Sequence, residues 1–118
     1  MTGIFSQINL LGNALGAADQ NHRVLSANVA NVNTPGYKTK QLDFQQLMDR
    51  LESRDSQRHM IGEVEVSDVE GLAERVDGNN VDLEKELSAL KKNAMAYQAY
   101  TQLMSSKLGT MRKAMTRR

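Results

Sequence analysis

The sequence predicts a mainly α protein: long N- and C-terminal helices packed as a coiled-coil-like pair, joined by a short irregular middle segment that holds a candidate short helix and a candidate minor β-strand. Three observations carry this. Both ends of the 118-residue chain bear an unbroken heptad seam. Turn residues stop the first helix and precede the second. Large side chains for a compact core are scarce, with no Trp and 4% aromatic residues. The expected division is an N-terminal assembly helix over 1–33, a turn motif, short helix and flexible segment over 34–79, and a C-terminal assembly helix over 80–118.

The N-terminal seam runs Ile4, Ile8, Leu11, Leu15, Ala18, His22, Leu25, Val29 and Val32, in steps that alternate between four and three residues. The C-terminal seam runs Leu83, Leu87, Leu90, Ala94, Tyr97, Thr101, Met104, Leu108, Met111 and Met115, with the same alternation. A pattern held for about four heptads argues for coiled-coil packing. At 1.5 Å per residue each helix extends about 45 Å.

Pro35 disfavours helical geometry at Thr34, so the first helix is expected to stop near Asn33. Thr34-Pro35-Gly36-Tyr37 fits a type II turn, with Pro at the second position and Gly supplying positive φ at the third. Gly78-Asn79-Asn80 is also turn chemistry. Asn80 is the expected cap of the second helix, with Asp82 and Glu84 in a first turn where the dipole favours them. Between the helices, Phe44, Leu47, Met48 and Leu51 have the spacing of a short amphipathic helix. Residues 52–59 are wholly polar and read as a flexible loop. Val64 and Val66 alternate with Glu63 and Glu65, the pattern of a short edge strand.

Seam residues stabilise a helix only when buried, by about 1.5–3 kcal/mol for each Leu, Ile or Val. The two seams are expected to bury each other. Phe5, Leu10 and Ala14 flank the first seam and Met95, Tyr100 and Leu103 the second, so further helices from other subunits are expected to cover them. Met95, Met104, Met111 and Met115 enrich the last helix with side chains that repack readily against unlike neighbours.

Net charge is +1, but its distribution is uneven. Residues 43–86 hold 13 acids against 5 bases, and after Glu86 there are seven bases and no acid. Two readings stay open: a contact with an acidic partner surface, or a solvated helix face whose last-turn cations complement the macrodipole.

No reaction chemistry is expected. There is no Cys. His22 and His59 are the only histidines and have no companion ligands at metal-binding spacing. The carboxylates lie in loops or on exposed turns, Ser26, Ser105 and Ser106 lack a nucleophile setting, and the glycines form no phosphate cradle. No cofactor is implied. The N-terminus lacks the basic and apolar regions of a cleavable secretory signal, and no apolar run approaches the roughly 20 residues of a membrane span.

Residues 25–38 read LSANVANVNTPGYK. This resembles the N-terminal signature of flagellar rod and hook proteins, a helix ending in S-A-N-I-A-N followed by x-x-T-P-G-Y-K. The continuation to Leu42, Asp43 and Phe44 also looks like this family. Residues 76–87, VDGNNVDLEKEL, are similar to the opening of the C-terminal helix in its proximal rod members. The resemblance covers roughly residues 10–48 and 76–118, and the segment at about 49–75 matches poorly.

The resemblance implies a structural subunit of a tubular rod that crosses the periplasm and transmits torque, with terminal helices of many subunits forming its inner layer. It also implies export by the flagellar type III apparatus without a cleavable signal. The expected partners are other copies of the chain, other rod proteins, and the export gate or a basal adaptor. Asn28, Asn31, Thr34, Pro35, Gly36 and Tyr37 are the expected assembly motif, beside the two seams. The rival within the class is the sister proximal rod protein, against which the Asp77–Asp82 stretch and the short middle argue. A basic coiled coil on nucleic acid is disfavoured by near-neutral charge and dispersed bases. A membrane-surface helix is disfavoured by tyrosines and methionines on a heptad, and neither nucleic acid nor stable membrane insertion is expected.

Overall fold

The computed structural model describes residues 3–43, 45–47, 49 and 65–116. Its elements are α1 (Ile4–Ala30), β1 (Lys40–Leu42), β2 (Val66–Asp68) and α2 (Leu83–Thr116). The two helices lie antiparallel, because Asn28 meets Glu86 while Asn21 meets Asn93 and Gly12 approaches Met104. The molecule measures 68 × 25 × 16 Å with a radius of gyration of 17.9 Å. A compact domain of this length has a radius of about 13.5 Å. The accessible surface is 8693 Å², against about 6,400 Å² for a compact monomer of this mass. The chain therefore leaves much more surface uncovered than a self-sufficient domain does.

Each helix end has a local cause. α1 starts after Gly3, with no side-chain cap and no acid in its first turn. It ends at Asn31, whose N–H donates to Ala27 O at 3.0 Å, and Val32 N then closes a tighter turn on Val29 O at 3.2 Å. α2 is capped by Asp82, whose Oδ1 accepts from Lys85 N at 3.3 Å, with Glu84 and Glu86 in the first turn and Lys113 in the last. This corrects the assignment of the cap to Asn80. Either residue type can cap, but the Asn80 side chain is engaged on Thr39, and Asp82 is the next competent acceptor.

Where the sequence suggested an edge strand at Val64 and Val66, β2 runs Val66–Asp68. It pairs antiparallel with β1 in the register Lys40↔Asp68, Gln41↔Ser67, Leu42↔Val66. β1 was not legible, because Lys-Gln-Leu carries no β-branched or aromatic residue. Residues 45–47 and 49 are helical, started by Asp43, whose Oδ1 accepts from Gln46 N and whose C=O accepts from Leu47 N. Phe44, Met48 and Leu51, the loop 52–59 with His59, and Glu63 and Val64 lie outside the described residues. Leu42 and Leu47 form the core cluster, against Ala17 and Val24 of α1.

The helix pair does not use both seams equally. On α1, Ala18 and Leu25 are buried and Ile4, Ile8, Leu11, Leu15, Val29 and Val32 are half-buried, whereas His22 is exposed. On α2, no residue is buried. Leu83, Leu87, Tyr97 and Leu108 are 41–44% exposed and Met115 77%. Ala94 and Thr101 are exposed too, and only Leu90, Met104 and Met111 of that seam are half-buried. The expectation that the two seams bury each other is thus corrected for α2. Its most covered face runs through Glu86, Ala89, Asn93, Ala96, Tyr100, Met104, Lys107 and Met111, on average about 75° around the helix from the seam. Polar contacts set that rotation. Asn21 Nδ2 donates to Asn93 Oδ1 at 3.0 Å, and Asn93 Nδ2 donates to Ala18 O at 2.8 Å. A paired Asn between helices fixes register because any other rotation leaves it unsatisfied.

Candidate functional site

Among the described residues the buried apolar set is Ala18, Leu25, Leu42, Leu47 and Val81, and the buried polar set, Asn13, Asn28, Thr39, Asn79 and Asn80, is as large. With so little apolar burial, the polar set has to carry specificity. Four of its five members lie where the C-terminal end of α1 meets the start of α2.

Asn28 is fully buried. Its Nδ2 donates to Lys40 O at 2.8 Å and to Glu86 Oε2 at 3.0 Å. Its Oδ1 accepts from Tyr37 OH at 2.9 Å and from Lys40 N at 3.0 Å. Both donors and both lone pairs of the amide are used, which is all an Asn side chain offers. One residue of α1 therefore holds β1, the turn tyrosine and the first turn of α2.

Asn79 mirrors it from the other side. It is also fully buried, and its Nδ2 donates to Asn31 O at 2.8 Å and Thr34 O at 2.9 Å. These carbonyls belong to the end of α1 and the turn after it, acceptors left open where a helix stops. Its Oδ1 accepts from Val81 N at 2.8 Å. Asn80 Oδ1 accepts from both Thr39 N and Thr39 Oγ1, at 2.7 and 2.9 Å.

The turn closes as its sequence requires. Tyr37 N donates to Thr34 O at 3.2 Å and Gly36 sits at φ 75°. Gly36 N donates to Asp77 O at 2.8 Å. Gly78, at φ 84°, packs beside it, and a Cβ there would make ordinary contact, 3.4 Å from Gly36 Cα. Glycine is favoured at both positions by their positive φ. Lys38 reaches over it to Gly78 O and pairs with Glu74 at 2.6 Å, Lys40 pairs with Asp68, and Arg75 donates to Val32 O.

The predicted motif residues thus divide. Asn28 and Tyr37 are inside the interlock. Asn31 is half-buried, with its side chain turned to Ala27 O and Thr34 Oγ1, and Thr34, Pro35 and Gly36 are exposed. The sequence reading missed Thr39, Asn79, Asn80 and Glu86 as members. The signal available was the 76–87 segment itself: two stretches that stand out separately, more than forty positions apart, are two halves of one hydrogen-bonded unit.

Burial raises the Tyr37 phenol above its ordinary value near 10.0; the Lys40 cation pulls the other way, while Glu86 and Asp68 add to the rise. The fold thus prefers the protonated phenol that donates to Asn28. Its contribution is complete below the ordinary phenol value and is lost as pH rises through the raised one. Tyr37→Phe is expected to cost about 1 kcal/mol at neutral pH, the typical worth of one such hydrogen bond. Urea midpoints at pH 7 and pH 11 would show a smaller alkaline loss in Tyr37→Phe than in the parent; an equal loss in both would show that Tyr37 is not a titrating member.

Among the described residues no cluster of His, Asp or Glu is placed to hold a metal, and no helix is long and apolar enough to cross a membrane. An open groove of about 560 Å³ runs between Val32, Leu72 and Leu83 beside Asn80. The interlock joins the end of α1, the turn after it, β1 and the start of α2 in one hydrogen-bonded unit.

The family model described as "Flagella basal body rod protein" matches residues 8–38, the α1–turn half of this interlock. Along nearly the whole chain, the flagellar basal body rod protein FlgB of Bacillus subtilis is 34% identical, with 92% of each chain covered. FlgB of Aeromonas hydrophila is 30% identical over 86% of each chain. FlgB of Salmonella typhimurium is 28% identical over 83% of this chain and 84% of its own.

Proposed function

Because this chain belongs to the FlgB family of flagellar basal body rod proteins, we propose that it builds the proximal rod by packing its terminal helices against those of other subunits. It is a structural flagellar rod subunit. The observation that supports helix-mediated assembly is the uncovered α2 seam. Leu83, Leu87, Tyr97, Leu108 and Met115 each stay more than two-fifths exposed. They form one stripe beside the face turned to α1, and such a stripe on a monomer marks a protein contact. Copies of the chain and other rod proteins are the helices that cover it, and the export gate or a basal adaptor lies below. The role is mechanical, without catalysis or cofactor: packed helices carry torque across the periplasm, and the chain reaches the rod through the flagellar type III apparatus.

Deleting the gene and imaging purified basal bodies tests this. The expected result is non-motile cells whose basal bodies lack the rod, and a rod from parent cells that contains the chain. Intact rods in the deletion strain would overturn the assignment.

A further inference from the structure

The chain contains one place where Asp or Asn is followed by Gly, at Asp77–Gly78. Such a pair is self-reactive. The main-chain nitrogen of the second residue can attack the side-chain carboxyl of the first, and a glycine there puts no Cβ in the way and leaves the backbone its widest freedom. The fold sets this pair inside the interlock, with the Asp77 side chain 39% exposed and so open to water.

Each group that the reaction needs is engaged. Gly78 N, the nucleophile, donates to Arg75 O at 2.8 Å. The Asp77 carboxylate accepts from Asn79 N at 3.0 Å and has Arg75 Nε 3.8 Å away. Asp77 O accepts from Gly36 N, and Arg75 N donates to Asn79 O, both at 2.8 Å. Lys38 Nζ donates to Gly78 O. The turn is thus tied to itself and to the Pro35-Gly36 turn. Attack needs a free nitrogen and a carboxyl that can swing toward it, so these local hydrogen bonds must open first.

We propose that Asp77–Gly78 is a site of spontaneous isomerisation that the closed interlock protects, and that an isomerised chain cannot rebuild the interlock. A bond forms between Gly78 N and Asp77 Cγ. The amide proton and one proton from solvent leave with a carboxylate oxygen as water, which gives a cyclic succinimide. Water then adds to one of its two carbonyl carbons. Cleavage at Cγ restores Asp77. Cleavage at the main-chain carbon gives isoaspartate, in which the chain runs through Cβ and Cγ and the former main-chain carbonyl is a free carboxylate. One water is lost and one is gained. The isomer lacks the main-chain carbonyl to which Gly36 N donates, and it places an extra backbone atom between Arg75 and Asn79, whose pairing closes the turn. Asn79, which ties the end of α1 to the start of α2, is displaced with it. Chains that stay unfolded are thereby marked and kept from closing. The inference needs only the interlock and is independent of the rod assignment.

Incubation of the purified full chain in water enriched in heavy oxygen tests it. Each passage through the succinimide leaves one heavy oxygen at residue 77. Mass spectrometry of the tryptic peptide 76–85 reads that label, and chromatography of the peptide separates isoaspartate from aspartate. The parent is expected to react about thirtyfold more slowly in native buffer than in denaturant, the equivalent of two ordinary hydrogen bonds that must break first. Asn79→Ala, which loosens the turn, is expected to react faster than the parent in native buffer. Asp77→Glu is expected to take up no label in denaturant, since attack would have to close a larger ring. Equal rates for the parent in buffer and denaturant, or no acceleration in Asn79→Ala, would overturn the protection. Label at residue 77 of Asp77→Glu would overturn the succinimide route. Parent aged in denaturant and returned to buffer is expected to divide, with the isoaspartate confined to molecules that fail to regain the parental urea midpoint. A parental midpoint for the isomerised chains would overturn the loss of the interlock.

Discussion

Asn28→Ala is expected to lower stability by about 3–5 kcal/mol, since several buried polar groups each lose a partner worth roughly 1–3 kcal/mol. The loss leaves Lys40 N, Lys40 O and Tyr37 OH without the amide that satisfied them. Small domains are stable by only about 5–15 kcal/mol in total, so the variant is expected to be largely unfolded at modest urea. Asn31→Ala is the control. Its side chain reaches only Ala27 O and Thr34 Oγ1, both exposed contacts, and its loss is expected to cost less than about 1 kcal/mol. Circular-dichroism urea melts of the two variants decide the matter. Equal costs would mean that Asn28 is not the hub its geometry indicates. In a double-mutant cycle with Tyr37→Phe, Asn28→Ala should be strongly non-additive, because the two side chains share one hydrogen bond.

Leu108→Asp is expected to have the opposite character: little effect on the isolated chain and loss of assembly. Leu108 is 44% exposed in the monomer, so the change costs mainly helix propensity, about 0.5 kcal/mol. Arg112, one turn on, offers the new carboxylate a partner. In an assembled seam the same carboxylate would be buried, at a cost of several kcal/mol for each subunit contact. The expected phenotype is a chain with near-parental melting that fails to enter basal bodies, leaving cells non-motile. Gln102→Asp, on an exposed face away from the stripe, should assemble normally. Swimming in soft agar and immunoblots of isolated basal bodies read both variants. Normal incorporation of Leu108→Asp would remove α2 from the list of assembly seams.

Asn28 and Asn31 show where reading a sequence stops. Both stand on the same helix, three residues apart, in the same motif, and nothing local ranks one above the other. Burial ranks them, and burial depends on β1 and α2 arriving from elsewhere in the chain. The same holds for Asn80 and Asp82. Each is a competent helix cap, and the tertiary demand of Thr39 decides which one caps. β1 escaped notice because its three residues have no strand propensity and are held by pairing with β2 and by the Asn28 side chain.

The sequence by itself determined the elements that local physics sets. The two helices follow from heptad spacing, the stop of α1 from Pro35, the turn from Pro35 and Gly36, and the uneven charge from composition. Only the tertiary structure decided the rotation of α2 and the joining of its two motif segments. Two seams of similar hydrophobicity are interchangeable in periodicity, so apolar pattern alone sets no rotation. The Asn21–Asn93 and Asn28–Glu86 hydrogen bonds do, because an amide removed wholly or partly from water favours the geometry that satisfies it. That choice turns the α2 seam outward and leaves it exposed.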